Sequence, residues 1–521
     1  MTLLDIVIFL PLVAFLLILP QSKDNPDGIR RFSLIASLAI FIASLGLIGP
    51  YWFGNPGKFV FETDVPWINS PAIRYHVAID GISLWLVLLT TLLTPLCVLV
   101  SWRYIQKRVK EFFAFLLLLE FGLVGVFCAF DFFLFYVFWE VALVPMYFLI
   151  GIWGHERRIY SAVKFFIYTM TGSVIMLVAI IYLYNQAGTF DYSRILVGLQ
   201  NGSIASTYTE QFFLFLAFFI AFAIKVPLFP LHTWLPDAHV EAPTAGSVML
   251  ASVMLKMGTY GLLRFCVPMF PVAARNCSGW IAALAIIGII YGALVAMVQP
   301  NMKKLVAYSS VSHLGFVVLG IFSFTQQGFD GAVYQMLNHG ISTGALFILV
   351  GFLYERRHSL EINAYGGVAT PAPALSTVFM ITMLASIGLP MLNNFVGEFL
   401  VLQGTALVNF RWAIFAAIGV ILSACYMLWL YQRVFFGRAS EEVSGLRDLD
   451  LREYAISVPL IVLMAWMGTF SQSFIPSIST SNAVIFGPVD AKRDVHVRNA
   501  LPGLPHAQIS AFERKEPANA R

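Results

Sequence analysis

The sequence predicts an all-α protein that crosses a membrane many times. Of its 521 residues, 59% are hydrophobic and only 12% are charged, whereas soluble domains carry about 25% charged residues. Apolar runs of about 20 residues, the length that spans a bilayer as a helix, recur along the chain and predict about fourteen transmembrane segments. The net charge of +4 gives no indication of nucleic-acid binding, because the positions of the charges matter more than their sum.

The predicted segments are numbered 1 to 14 in chain order. They lie near residues 3–20, 32–52, 78–101, 112–129, 131–150, 161–184, 211–235, 243–267, 279–298, 303–324, 331–354, 374–404, 408–432 and 454–475. No basic residue precedes segment 1 and Asp5 interrupts its flank, so a transmembrane helix is favoured over a signal peptide. Residues 491–521 are polar and of mixed charge, and they predict an extramembrane tail.

Basic residues predict the orientation. Loops after odd-numbered segments hold most of the lysines and arginines, and loops after even-numbered segments hold few, Arg264 among them. The positive-inside rule then places the odd loops in the cytoplasm and both termini on the periplasmic side of a bacterial plasma membrane. Before the tail, Lys225 and Lys256 are the only basic residues that cannot be assigned to a loop.

Segments 4–8 and 9–13 form two units of five helices each. Because five is odd, the second unit enters the membrane with the opposite orientation, as inverted repeats require. Segment 7 is interrupted by VPLFPLHTWLP and segment 12 by GLPMLNNFVGEF, and paired interruptions of this kind indicate an ion pathway. The predicted divisions are 1–110 (segments 1–3), 111–267 (first unit), 268–435 (second unit), 436–490 (segment 14) and 491–521 (tail).

Two charged residues of the first unit predict a proton gate. Glu140 lies about 14 Å into segment 5, and Lys225 lies at a similar depth in segment 7. A charged side chain at the bilayer centre costs about 2.5–3.5 kcal/mol on insertion scales, so the two are expected to pair. The paired lysine would hold its proton and the unpaired lysine would release it; the alternative is a static ion pair that fixes helix packing.

Four further titratable residues extend this pattern. Lys256 has no acid on its own segment, and His313 and His339 lie among small and hydroxyl residues in segments 10 and 11. Glu398, after the break in segment 12, occupies the place that Lys225 holds in the first unit. A proton could pass from Lys225 through Lys256 and a histidine to Glu398. Other charged residues near segment ends are interpreted as helix caps: Asp131, Asp237, His239 and Glu241.

Several classes of site are disfavoured. The five cysteines are scattered without CxxC spacing, which argues against an iron–sulfur, zinc or disulfide framework. No phosphate-binding glycine loop or dinucleotide fingerprint is present either. No cofactor is therefore expected in this chain.

The sequence resembles the antiporter-like subunits of respiratory NADH:quinone oxidoreductase and the related multisubunit cation/proton antiporters. The matching runs are FWEVALVPMYFLIG, KVPLFPLHTWLPDAHVEAPTAGSVMLASVMLKMGTYGLLR, NMKKLVAYSSVSHLGF and LNHGISTGALF. Within the family, glutamate in a run such as LPMLNNFVGEF is typical of the M type, since the L and N types usually carry lysine there. The resemblance implies that the six residues singled out above fall on proton-path positions: Glu140, Lys225, Lys256, His313, His339 and Glu398.

The resemblance also implies partners: L-type and N-type membrane subunits, the lipid bilayer, and peripheral subunits that hold FMN, iron–sulfur clusters and quinone. The function it implies is proton translocation coupled to electron transfer elsewhere in that assembly. The alternatives are a Na⁺/H⁺ antiporter subunit or a membrane-bound hydrogenase subunit of the same fold, and a passive structural subunit whose buried charges only lock helices together.

Overall fold

A computed structural model describes residues 2–53, 59–485 and 487. Helices dominate it because most of the chain is apolar and only a helix satisfies all its backbone groups within one segment in lipid. The helices α1 to α21 are, in chain order, Leu3–Ile18, Pro26–Leu45, Gly49–Phe53, Gly81–Tyr104, Val109–Cys128, Phe132–Trp153, Arg158–Ala187, Tyr192–Asn201, Tyr208–Lys225, Trp234–Glu241, Thr244–Met249, Leu255–Gly261, Val267–Met269, Pro271–Met297, Met302–Ile321, Gln326–Arg357, Pro373–Ser386, Asn393–Val408, Phe410–Phe435, Glu441–Ser444 and Leu451–Thr469. A further helical stretch covers residues 475–485.

The described residues include twelve helical spans that are long and apolar enough to cross a membrane. Two shorter apolar helices, α1 and α17, add to these. The chain is therefore a multi-pass membrane protein, as the composition predicts. The count of fourteen segments and the division into units stay predictions, and the predicted tail at 491–521 lies outside the described residues.

Two pairs of helices are separated by short non-helical stretches. Helix α9 ends at Lys225, and the chain becomes helical again at Trp234. Pro227 and Pro230 in this gap have no backbone N–H to continue the helix. The indole Nε1 of Trp234 donates to the carbonyl of Ile224 at 3.0 Å. This hydrogen bond satisfies one of the carbonyl groups that lose their helical partner where α9 ends. The second gap, between α17 and α18, contains Gly388 at φ +77°, a conformation that glycine adopts without strain.

The most enclosed helices carry most of the candidate residues. Helices α11, α12 and α13 form one continuous rod, Thr244–Met269, joined by π-helical segments at Leu250–Met254 and Leu262–Cys266. This rod is buried throughout, and α16 is buried from Gly328 to Leu353. Helix α16 packs against α15, α18 and α11, so side chains from four helices meet in one interior region.

A β-hairpin is a feature that the sequence prediction does not contain. Strand β1 (Val60–Ile68) pairs antiparallel with β2 (Ile73–Ile79), with Asp64 opposite His76. Nδ1 of His76 lies 2.6 Å from a carboxylate oxygen of Asp191, just before α8. The hairpin is thereby attached to the ends of the membrane helices.

Candidate functional site

Lys256 lies on α12, immediately after the first π-helical segment, and its side chain is fully buried. Its ammonium donates to the carbonyl of Ala251 at 2.6 Å. It also lies 2.6 Å from Nδ1 of His339 on α16. A π turn widens the helix and alters the direction of the side chains around it, and here the lysine reaches across to a second helix.

His339 and His313 continue the contact across α16 and α15. Their ring centroids are 5.9 Å apart, and Nδ1 of His313 lies 2.9 Å from Oε1 of Glu398 on α18. Gln335 Nε2 donates to the same carboxylate oxygen at 3.0 Å. Within the described residues, Nε2 of each histidine has no hydrogen-bond partner, so each ring keeps one nitrogen for a further proton.

Lys225 and Glu140 are arranged differently. The Lys225 ammonium lies 5.2 Å from the ring centre of Trp139 and 5.6 Å from that of Phe165. It interacts electrostatically with Glu140, and Tyr136 interacts with the same carboxylate. In the part of the chain that the structure describes, neither the Lys225 ammonium nor Oε1 of Glu140 has a hydrogen-bond partner. The expected direct ion pair is therefore not formed.

The predicted residues thus fall into two groups on helices that touch. Lys256, His339, His313 and Glu398 form one buried series, and Glu140 with Lys225 forms a second, looser group. A Cβ built on Gly258 of α12 would lie 2.8 Å from Phe222 O and Val226 N. The glycine therefore lets the end of α9, with Lys225, pack backbone to backbone against the helix that carries Lys256.

The prediction that His239 caps a helix is wrong. The side chain of His239 is fully buried and stacks on Phe347, with ring centroids 4.5 Å apart. Among the described residues neither ring nitrogen has a hydrogen-bond partner, and the ring interacts electrostatically with Lys256 and Lys303. The sequence offered no signal for this burial, because the residue falls between two predicted segments.

The other expected caps differ from one another. Asp131 is the N-cap of α6 and accepts the backbone N–H groups of Phe133 and Leu134, which confirms that prediction. Asp237 instead pairs with Lys164 at 2.7 Å. Glu241 accepts from the backbone N–H of residue 157 at 2.9 Å, so it joins a neighbouring loop and does not cap its own helix.

Arg264 also corrects the sequence interpretation, which assigned it to a loop. It lies in the second π-helical segment, is buried, and pairs with Asp80, the N-cap of α4. Its guanidinium also faces the rings of Phe130 and Tyr260. Lys225 and Lys256 are therefore not the only basic side chains enclosed among the helices. The sequence assigns Arg264 to a loop only because it lies near the end of a predicted segment.

Within the described residues, no cluster of three or more His, Cys, Asp or Glu side chains could hold a metal ion.

Comparison with known proteins assigns the family. A profile described as NADH:quinone oxidoreductase/Mrp antiporter, TM, matches residues 129–424, and one described as NADH-ubiquinone oxidoreductase chain 4, amino terminus, matches residues 58–125. NADH-quinone oxidoreductase subunit M of Rhodobacter capsulatus is 46% identical over 502 residues, covering 93% of this chain and 95% of that protein. The chain belongs to the subunit M family of NADH-quinone oxidoreductases.

Solved structures agree with this family. Respiratory complex I from Thermus thermophilus contains a chain that is 32% identical, with a TM-score of 0.85, and the match covers 93% of this chain and 99% of that one. The Mrp complex from Dietzia sp. contains a chain with a TM-score of 0.81 over 94% of this chain and 98% of that one. At 20% identity, the second similarity shows a shared fold alone.

Proposed function

We propose that the chain is the proton-translocating M-type subunit of a respiratory NADH:quinone oxidoreductase. The observation that carries the proposal is the buried series on α12, α16, α15 and α18. Lys256 lies 2.6 Å from His339, the two histidine rings are 5.9 Å apart, and His313 lies 2.9 Å from Glu398. Intramembrane titratable residues are costly, and a contiguous series of them supports a proton relay.

The chemistry of the series follows from its nitrogen and oxygen atoms. The Lys256 ammonium can give a proton to Nδ1 of His339, leaving a neutral amine and an imidazolium. That imidazolium can lose its other proton from Nε2 toward His313, which can in turn deliver one from Nδ1 to the Glu398 carboxylate. Each histidine accepts on one nitrogen and gives from the other, as a relay requires.

Lys225 and Glu140 would serve as the gate of this relay. The ammonium of Lys225 faces two aromatic rings and has no hydrogen-bonding partner among the described residues. A group held this loosely can approach Glu140 and keep its proton, or turn away and release it toward Lys256. Because α9 ends at Lys225, the side chain sits where the helix itself is interrupted.

The energy for pumping would come from other subunits. Moving one charge against 100 mV costs about 2.3 kcal/mol, and this chain is expected to carry no cofactor. FMN, iron–sulfur clusters and quinone would belong to partner subunits, where NADH is oxidised. The neighbours in the membrane would be the L-type and N-type antiporter-like subunits.

The proposed architecture has about fourteen transmembrane segments, with 111–267 and 268–435 as inverted five-helix units. Segments 7 and 12 would each be discontinuous, the first across α9 and α10 and the second across α17 and α18. The basic residues of the odd loops support a bacterial plasma membrane location with both termini in the periplasm.

The assembly can be tested by purifying the tagged chain in mild detergent and assaying the co-eluting material for NADH:quinone reductase activity. Activity together with several peripheral subunits is expected. Material that oxidises no NADH but exchanges Na⁺ for H⁺ after reconstitution would overturn the proposal in favour of the antiporter. Hydrogen evolution would overturn it in favour of the hydrogenase.

The gate is tested separately with Glu140→Gln and Lys225→Ala. Both variants are expected to assemble and to lose most NADH-driven proton pumping, because each removes one titratable member of the loose group. Normal pumping by either fully assembled variant would contradict the gate and support a passive structural role for these charges.

A further inference from the structure

An apolar cleft of about 530 Å³ opens on the outer surface of the helices, between α2, α3, α4, α16 and α21. All sixteen residues that line it are apolar or glycine. Its volume lies within the range of about 300–1,000 Å³ that is typical of small-molecule sites. We infer that the cleft binds one acyl chain of a membrane phospholipid.

The position of the cleft in the membrane identifies its occupant. Its walls α2 and α21 belong to membrane spans, and both continue outward into exposed apolar side chains, among them Ile42 and Val462. The cleft is thus continuous with the surface that the bilayer covers. No polar side chain lines it to hold water, so the hydrocarbon that surrounds the helices is the medium that fills it.

Three tryptophans mark the end of the cleft that lies nearest the headgroups. Trp52, Trp85 and Trp466 all line it, and tryptophan is enriched at the membrane–water interface. The indole nitrogen of Trp85 donates to Ser477 Oγ at 2.9 Å, and that of Trp466 donates to Ser473 Oγ at 3.3 Å. A chain that enters at this level runs inward along α4 as far as Leu92, about 10 Å below Trp85.

The floor of the cleft is the helix that carries His339. Leu337 and Ile341 line the cleft, and each stands two residues from the histidine, which places them on the opposite face of α16. A Cβ on Gly340 would lie 2.6 Å from Leu89, another lining residue. The acyl chain would therefore support the outer face of α16 directly behind the proposed relay and exclude water from that side.

The test uses the whole complex in vesicles of phosphatidylethanolamine and phosphatidylglycerol, with a diazirine group on a fraction of the acyl chains. After irradiation, labelled peptides are mapped by mass spectrometry. Label on Leu337 and Ile341 is decisive, because only 3% and 4% of their surfaces are exposed and the cleft provides the access. An unlabelled α16 in the native chain overturns the inference, as does a cross-link showing that a helix of another subunit fills the cleft.

Gly49→Leu supplies the blocking variant. Gly49 lines the cleft, has ordinary right-handed helical angles, and has no atom within 4 Å of an added Cβ, so the new side chain can project into the cleft without strain. Label on α16 is expected to fall several-fold. Gly279→Leu, an exposed glycine of α14 with equally open surroundings, is the matched control and should leave the label unchanged. Equal labelling in both variants would overturn the inference.

Discussion

The two proposed units of the chain arrange their titratable residues in opposite ways. In the proposed second unit, Nδ1 of His313 lies 2.9 Å from Oε1 of Glu398, and Gln335 donates a further hydrogen bond to the same carboxylate. In the proposed first unit, Glu140 and Lys225 interact only electrostatically, and the lysine faces the rings of Trp139 and Phe165.

This difference indicates different tasks. A lysine over aromatic rings gains about 0.5–2 kcal/mol from cation–π attraction and can change partner without breaking a hydrogen bond. The His313–Glu398 pair must give up two hydrogen bonds before it can rearrange. Lys225 with Glu140 suits a switch. The hydrogen-bonded His313–Glu398 pair suits a fixed proton acceptor at the end of the proposed relay. In the proposed relay, Lys256 and His339 would connect the two.

The largest effect is expected from breaking that connection. Lys256→Met removes the only titratable side chain in contact with Nδ1 of His339 among the described residues, so NADH-driven pumping should fall by about tenfold or more. Pumping is measured in vesicles with a fluorescent ΔpH probe. Lys107→Met, in an exposed loop, is the matched control and should pump normally. Near-normal pumping by assembled Lys256→Met would mean that protons bypass this residue.

The difference between the two groups is measured by replacing the carboxylate of each, Glu398 or Glu140, with methionine. Glu398→Met leaves His313 Nδ1 and Gln335 without an acceptor, which should lower the opening free energy of α18 by about 1–2 kcal/mol. Glu140→Met removes a carboxylate whose Oε1 has no hydrogen-bond partner among the described residues, and it should change the stability of α6 by less than about 0.5 kcal/mol. Hydrogen exchange of the amides in each helix measures both values. Equal costs would show that the two carboxylates are held alike.

The sequence predicted the membrane class, the family and five of the buried titratable residues: Lys225, Lys256, His313, His339 and Glu398. It could do so because apolar run length and a lysine within such a run are properties of the chain itself. Depth along a helix also follows from residue spacing, which is why the sequence predicts similar depths for Glu140 and Lys225.

Helix rotation and the path of short connections could not be predicted. Spacing does not say which neighbour a side chain faces, so the contacts of Lys256 with His339 and of His313 with Glu398 appear only in three dimensions. His239 and Arg264 show the same limit at segment ends, where a residue can turn inward without any change in local composition. The hairpin of β1 and β2 was missed because its residues lack a clean alternation of apolar and polar side chains.

A smaller effect is expected when Glu398 is replaced by lysine, the kind of residue that the proposed first unit carries at position 225. Glu398→Lys places an ammonium beside His313 and Gln335, where it can donate to a histidine nitrogen or to the Gln335 amide oxygen. Because the L and N types usually carry lysine here, partial pumping is expected, above that of Glu398→Met and below that of the unchanged chain. Pumping is measured as for Lys256. Activity no higher than that of Glu398→Met would show that the site requires a carboxylate.

The smallest effect concerns a second histidine–carboxylate pair, outside the membrane. Burial lowers the pKa of His76, but its hydrogen bonds to Asp191 and Glu62, with the nearby charge of Asp64, outweigh burial and raise the pKa above its usual 6.5. The charged form therefore stabilises the hairpin fully below about pH 6.5, and this contribution of about 1 kcal/mol is lost as the pH rises through the raised pKa. Hydrogen exchange of the β2 amides, compared at each pH with His76→Gln, should show a protection difference that is largest in acid and shrinks in base. A difference that grows with pH would reverse the sign and show that His76 is neutral in the folded hairpin.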